Sequence, residues 1–345
     1  MGYQIENCTG SPEEVEECAN FLASFVADGE LETRTEAETR PETYRSRLTS
    51  WWNKNPYCKT DSPRGLILRR EDGSIGGFFG FIPHDYVSNG EIVPSLISTT
   101  TFVRNDCRDA SLGLFFRAHK LGNGYHLIDG GPNDKLIPLL ERAGYHHADK
   151  TKLNFFPVRR LSWRPRSWLV QMARMFTSRV RFDNEGGRFV SAVDEITQIP
   201  ATNDPALRKH IDKDTLEWYL NCGIKEKHLI SWCDKEGSLA GYLLCITRSF
   251  FGFSTLFVLD AASFVDEESD EFLGNLAAFA AHNPGSAGIP KDIDLIVWPS
   301  LEQNAVKRKT PFSKSHDSKL FYRLPPQLEG IQRHYFPYEG DKILL

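Results

Sequence analysis

The chain has 345 residues, 40% of them hydrophobic and 25% charged, with a formal net charge of −5. That length and balance suit a globular protein of two domains, each large enough for a core of its own. No apolar run reaches the length of a membrane span, the first thirty residues lack the basic-then-apolar order of a secretory signal, and position 6 is not the Ser or Thr that N-myristoylation of Gly2 requires. The expected location is the cytoplasm. Seven cysteines with no Cys-x-x-Cys pair argue against a zinc cluster or a disulfide framework.

In chain order, Trp51-Trp52 and Asn55-Pro56 precede the first strand pattern. Gly73-Ser74-Ile75-Gly76-Gly77-Phe78, after the acidic turn Glu71-Asp72, predicts a hairpin. Ser98-Thr99-Thr100-Thr101-Phe102-Val103 is a β-branched strand that runs through Arg104 into Arg108-Asp109-Ala110-Ser111-Leu112-Gly113, where an apolar helix opens. A strand that ends in a short basic loop at a helix start aims backbone N–H groups and the positive end of the helix macrodipole at one point, where a pyrophosphate can sit. Cys107 abuts this loop, but no His lies beside it in sequence, so it reads as a passive thiol. Tyr125-His126-Leu127-Ile128-Asp129 predicts the next strand, with His126 on the face of Ile128 as a packing residue. Asp129 ends that strand, either as a functional carboxylate or as a cap on the Gly130-Gly131-Pro132 turn; Glu91 is the other carboxylate nearby. Asn133 then leads a helix to Gly144-Tyr145. His146-His147 follow as surface residues, since neighbours on a strand face opposite ways and no further metal ligand lies at useful spacing.

This run resembles the GNAT acyltransferase superfamily. Its pyrophosphate loop reads Arg or Gln, any, any, Gly, any, Gly or Ala; Arg108, Leu112 and Gly113 fit, while Ser111 stands at the first Gly. A second family pattern is matched at its spacing by Asn133, Leu139, Glu141, Arg142, Gly144 and Tyr145. The Tyr that many members use to protonate the departing thiolate falls on Leu140. The resemblance implies acetyl-CoA or another acyl-CoA as co-substrate, no metal, and a small-molecule amine as acceptor. It sets Thr101, Phe102 and Val103 against the pantetheine through their main chain. Arg104, Arg108, Asp109, Ala110, Ser111, Leu112, Gly113 and Asn133 complete the expected binding set.

A second copy of the pattern follows. Gly237-Ser238-Leu239-Ala240-Gly241-Tyr242 repeats the first hairpin, Ser263-Phe264-Val265 echoes Thr101-Phe102-Val103, Leu273-Gly274 echoes Leu112-Gly113, Leu295-Ile296 echoes Leu127-Ile128, and Trp218 stands for Trp52. His119 and His282 occupy matching helix positions, which suggests packing; Tyr242 and Trp298 read as core. Acids at Asp266, Glu267, Glu268, Asp270 and Glu271 would repel pyrophosphate from the second copy, so only the first is expected to bind CoA. Asp260 ends an apolar strand at the place taken as equivalent to Ser98; a carboxylate there suits substrate recognition or base catalysis. Between the copies, nine basic residues and no acid lie from Lys150 to Arg181, and a helix is expected after Pro165. This segment reads as a linker packed against the acidic surface, with a peripheral contact to an anionic partner as the functional alternative; no nucleic-acid motif accompanies it.

The expected fold is α/β, with two tandem GNAT-like domains, each a mixed central sheet flanked by helices. The N-terminal domain spans 1–156 and binds acyl-CoA, a basic linker spans 157–190, the C-terminal domain spans 191–330 on the acceptor side, and 331–345 form a tail. Together with Trp51-Trp52, Asn55-Pro56 and the ending Tyr338-Glu339-Gly340-Asp341, this plan is similar to bacterial acyltransferases encoded with surface-polysaccharide genes, which implies an amino-sugar acceptor. Two other readings stay open at this point: a Fem-type transferase that takes aminoacyl groups from tRNA, and a non-catalytic tandem scaffold or sensor.

Overall fold

The computed structural model describes residues 2–27, 39–148, 150–158, 186–201, 204–223, 225–250, 252–265, 269–301, 313–316 and 319–335. The helix expected after Pro165, the acids at 266–268 and the ending at 338–341 lie outside the described residues.

The first half runs β1 (Gln4–Asn7), α1 (Pro12–Ala27), α2 (Pro41–Leu48), β2 (Gly65–Arg69), β3 (Ile75–Ser88), β4 (Glu91–Val103), α3 (Ser111–Leu121), β5 (His126–Asp129), α4 (Ile137–Arg142), β6 (His146–His147) and β7 (Thr151–Pro157). The second runs β8 (Arg188–Val190), β9 (Arg208–Lys209), α5 (Lys213–Asn221), β10 (Lys227–Cys233), β11 (Leu239–Phe250), β12 (Phe253–Ser263), α6 (Ser269–His282), β13 (Leu295–Leu301), β14 (Ser313–His316) and β15 (Phe321–Arg323). Both expected hairpins form. Gly73 at φ +82° and Gly237 at φ +84° turn β2 into β3 and β10 into β11, a left-handed conformation that a side chain resists. The repeat extends to the sheets: β2-β3-β4-β5 in one and β10-β11-β12-β13 in the other, with β4–β5 and β12–β13 as parallel pairs. A parallel pair needs a crossover, which α3 and α6 supply.

The sheets do not divide along the boundaries expected from sequence. β7, which a boundary at 156 leaves in the first half, pairs with β13 and β14, while β15 inserts between β5 and β6. The physical reason is burial. β6 is two exposed histidines and serves as an edge, whereas β7 buries Leu153 on one face and Phe156 on the other. A strand with apolar side chains on both faces belongs inside a sheet that is covered on both faces, not at an exposed edge.

Alternation along the strands divides the core into layers. Leu96 and Leu127 face outward under α3 and α4; Ile97 and Ile128 face inward. In the second sheet, Leu256 and Ile296 face α6, and Phe257 and Val297 face inward. The inward residues share one core between the sheets with Trp51, Trp52 and Trp218. The indole N–H of Trp52 donates to Phe81 O at 2.9 Å, and that of Trp218 to Ser50 O at 2.7 Å. A π-helical turn, Thr49–Asn53, is thereby fastened to both halves.

Each middle hairpin carries a bulge. In β4, Thr99 pairs with Gly80 and Thr101 with Phe79, leaving Thr100 without an opposite residue at φ +41°. For a β-branched residue this is a strained conformation, costing about 1–3 kcal/mol. In β12 the extra residue is Leu259, between Val258 opposite Cys245 and Asp260 opposite Leu244. The register corrects one expected equivalence. Arg104 N bonds Gly76 O as Phe264 N bonds Ala240 O, so the Phe-Val echo is two residues out of step, and Asp260 is the counterpart of Thr100, not of Ser98.

Candidate functional site

β4 and β5 pair from Ser95↔His126 to Ser98↔Asp129, where β5 ends, while β4 runs on through the Thr100 bulge to Val103. A parallel pair that stops while one strand continues leaves a wedge between them, and the bulge turns β4 further away. The opening lies at the carboxyl ends of the strands, where α3 begins. Thr101, Phe102 and Val103 lie on the stretch of β4 that continues past its pairing with β5; Phe102 is anchored through its ring, stacked on Phe25 of α1 at 4.8 Å.

Asp129 sits at the apex. It is half-buried, and its Oδ1 accepts from Gly131 N at 3.3 Å, the turn contact foreseen for it. On the same outer face of the sheet, Ser98 is buried, and the Tyr145 hydroxyl lies 3.1 Å from Nδ1 of buried His119. Tyr145 arrives there because α4 ends in a left-handed glycine. Gly144 has φ +81°, its N–H bonds Glu141 O at 3.0 Å, and Tyr145 N bonds Leu140 O at 3.0 Å. This explains the Gly-aromatic end of the second family pattern. Asn133 heads the same segment, with its Oδ1 accepting from Lys135 N at 3.0 Å and its carbonyl from Leu136 N at 2.7 Å. Glu91 begins β4 beside the β3–β4 turn, at the far end of the strand from the opening. The symmetry expected of His119 and His282 does not extend to their bonding, since the Nδ1 of His282 lies 2.8 Å from Ala278 O of its own helix.

The residues expected to form the phosphate loop are divided by the structure. Asn105–Ala110 is a 3-10 turn leading into α3. Arg104 turns away from the loop, bonding Ser24 Oγ at 2.7 Å with its guanidinium 5.6 Å from the Phe21 ring centre. Arg70 makes two 2.8 Å bonds to Asp106 and one of 3.4 Å to Cys107 Sγ. Arg108, Asp109, Leu112 and Gly113 are exposed, and the Ser111 hydroxyl donates to Arg108 O at 2.6 Å. The start of α3 fits a phosphate: its first turn holds no acid, no side chain caps its amides, and a Cβ built on Gly113 meets nothing nearer than Ile5 at 3.9 Å.

Asp260 is placed elsewhere. It is 1% exposed, its Oδ1 is 2.7 Å from Lys209 Nζ, and its Oδ2 accepts from the Tyr242 hydroxyl at 2.5 Å. Lys209 lies on β9, which pairs with Tyr86 of β3, so this buried ion pair clamps the second sheet to the first. The sequence reading offers Asp260 for substrate recognition or base catalysis; the structure holds it in this pair. Nothing in the sequence pattern flagged Lys209, because β9 is two residues long and has no periodicity to read.

Three buried histidines give the fold a pH dependence, and of these His84 is held well below the ordinary value by burial, with the charge of Lys209 adding to it. Burial pushes His119 down to about 4, helped by the charge of Arg323, and His126 to about 3, helped by Arg333. Each is lower in the folded chain than the ordinary histidine value of about 6.5. The stability they contribute is therefore complete above that value and lost as pH falls toward about 4 for His119. The melting temperature is expected to fall steadily between about pH 6.5 and 4.5, and the fall should be shallower in His126→Gln. A flat profile across that window would rule out neutral burial of these histidines.

No family model matches this chain, and no curated protein matches it either. Solved structures do. A GCN5-related N-acetyltransferase from Anabaena variabilis aligns over 93% of this chain and 72% of its own, at 12% identity and a TM-score of 0.56. A probable N-acyltransferase from Enterococcus faecalis aligns over 94% and 73%, again at 12% identity and a TM-score of 0.56. What the chain shares with these two structures is the fold, two mixed sheets flanked by helices.

Proposed function

We propose that this protein transfers an acyl group from acyl-CoA to an amine, in the opening between β4 and β5. The observation that carries the reading is the meeting, at one point, of a parallel pair that parts, a strained bulge at Thr100 and the carboxylate of Asp129. Bound acyl-CoA supplies the activated thioester. The main chain of Thr101, Phe102 and Val103 offers the pantetheine a strand edge, and Arg108 with the first turn of α3 holds the phosphates by charge and backbone N–H groups. Asp129 takes the proton of the attacking amine as the C–N bond forms. The C–S bond then breaks with its electron pair on sulfur, which needs a proton.

The proposed division of labour gives acyl-CoA to the first half and the acceptor to the side facing the second. An amino sugar for a surface polysaccharide is the proposed acceptor, supported by the similarity of the overall plan to bacterial acyltransferases of that setting. The inward turn of Arg104 and the Arg70–Asp106 pair favour a second reading, a tandem scaffold that does not bind CoA.

Calorimetric titration with acetyl-CoA, CoA and a longer acyl-CoA separates the two. Saturable micromolar binding is expected, and Arg108→Ala should weaken it about tenfold through loss of a charged phosphate contact. No binding to any of the three would leave the scaffold reading standing. Unchanged affinity in the variant would remove the phosphates from Arg108.

A further inference from the structure

A cavity of about 800 Å³ lies at the end of the first sheet away from the opening. Three pieces of chain enclose it: the turn from α3 into β5, the turn from α4 into β6, and the segment from Tyr322 to Arg333 that leaves β15. β5 fixes its place relative to the opening. Tyr125 lines the cavity just before that strand begins, and Asp129 ends the strand at the apex. Three steps of about 3.3 Å from His126 to Asp129 put the two ends about 10 Å apart. The antiparallel β15 agrees, since Arg323 of the cavity pairs with Leu127 while Phe321 pairs with Asp129. The cavity is a second site, which the acyl-transfer reading does not use.

Two arginines line it, and both are held in place. Arg323 donates to His119 O at 3.2 Å, Ala143 O at 3.4 Å and Asn123 Oδ1 at 3.4 Å, which ties it across the ends of α3 and α4. Arg333 lies against the Tyr322 ring, its guanidinium carbon 4.6 Å from the ring centre. The chain on either side of it is pinned, since Leu207 N bonds Gln332 O at 2.8 Å and His334 N bonds Leu207 O at 2.9 Å. Among the described residues neither arginine has a carboxylate within ion-pair distance. A guanidinium held by stacking offers its N–H edge as a fork to an oxyanion. Gly124 at φ +89° and Gly330 at φ +84° form two further corners, and a Cβ built on either meets nothing within 4 Å. Neither glycine N–H has an acceptor among the described residues. Donors at four points suit phosphate, whose oxygens face several ways, better than a flat carboxylate. The volume is far larger than one phosphate needs, and Tyr125, Leu324 and Pro325 add apolar wall on which a ring can lie.

We propose that this cavity binds a nucleoside diphosphate, with its phosphates on Arg323 and Arg333 and its base against Tyr125. Binding there does not depend on whether the protein transfers acyl groups. The charges of the lining agree: two guanidiniums stand against one carboxylate, Glu329, which is exposed. An anion offsets the excess, and Glu329 opposes it weakly because water screens an exposed charge.

Calorimetric titration with UDP, uridine and inorganic phosphate, with and without excess acetyl-CoA, tests this in wild type, Arg333→Ala and Glu329→Gln. UDP is expected to bind at one site, unaffected by acetyl-CoA, and at least about tenfold tighter than uridine or phosphate. Arg333→Ala should weaken UDP binding about tenfold or more through loss of a charged hydrogen bond. Glu329→Gln should tighten it about two- to threefold. The exposed Glu329 keeps the test decisive if Arg333→Ala does not fold. No saturable UDP binding by wild type up to about 1 mM, displacement of UDP by acetyl-CoA, or phosphate bound as tightly as UDP would each overturn the inference. So would an affinity unchanged in folded Arg333→Ala or, where that variant does not fold, in Glu329→Gln. A wild type that binds UDP but no acyl-CoA would overturn the acyl-transfer reading and uphold this site.

Discussion

Asp129→Asn is expected to reduce turnover of acetyl-CoA with an amine about 10²–10⁴-fold while leaving CoA affinity and the melting temperature close to wild type. The substitution is chosen for what it preserves. Asn keeps an oxygen where Oδ1 accepts from Gly131 N, so the turn after β5 survives, and it has the shape of Asp at the Ser98↔Asp129 pair. It removes only the capacity to take a proton. If Asp129 is the base, kcat and kcat/KM fall together, because the lost interaction belongs to the transition state. An unaltered rate would assign Asp129 wholly to the turn, and the search for a base would leave the apex.

The run from Ser98 to Tyr145 was readable from sequence because each of its elements is stated locally. A β-branched strand, a helix start after a short loop, an alternating strand and a helix closed by Gly144 each follow from neighbouring residues, and the structure forms them in that order. The second hairpin was readable for the same reason, through the glycine that turns it. What was hidden depends on partners distant in the chain. Period-two alternation tells which face of β7 is buried, and here both are, but it does not name the strand beside it; that strand is β13, more than a hundred residues on. The Phe-Val echo misled the alignment of Asp260 because bulges shift register by single residues without changing composition. Arg104 looked like a phosphate ligand because charge is visible in sequence, whereas the pull of Ser24 and two phenylalanines on α1 is not. The Ser98, His119 and Tyr145 group comes from three elements, and only the turn at Gly144 brings its third member into place.

Lys209→Met is expected to destabilise the protein by about 3–5 kcal/mol, the cost of stranding a carboxylate in the interior. Lys209 and Asp260 are 7% and 2% exposed at their side chains, so solvent cannot replace the lost ammonium. Tyr242 still donates to Oδ2, but one neutral hydrogen bond does not balance a buried charge. Because Lys209 is carried on the strand paired to Tyr86 and Asp260 on β12, the damage falls on the junction between the sheets and not within either one. Urea unfolding should accordingly change in form as well as midpoint, from one transition toward two as the halves uncouple. The double variant Lys209→Met with Asp260→Leu is the discriminating control. Removing both charges should recover most of the loss, because a well-packed apolar pair is often no worse than a buried ion pair. If Lys209→Met costs less than about 0.5 kcal/mol, the pair is not a clamp. If instead the stable double variant has lost turnover while CoA affinity is kept, Asp260 takes part in the reaction after all, and its buried pairing with Lys209 would have to open during the cycle to let it do so.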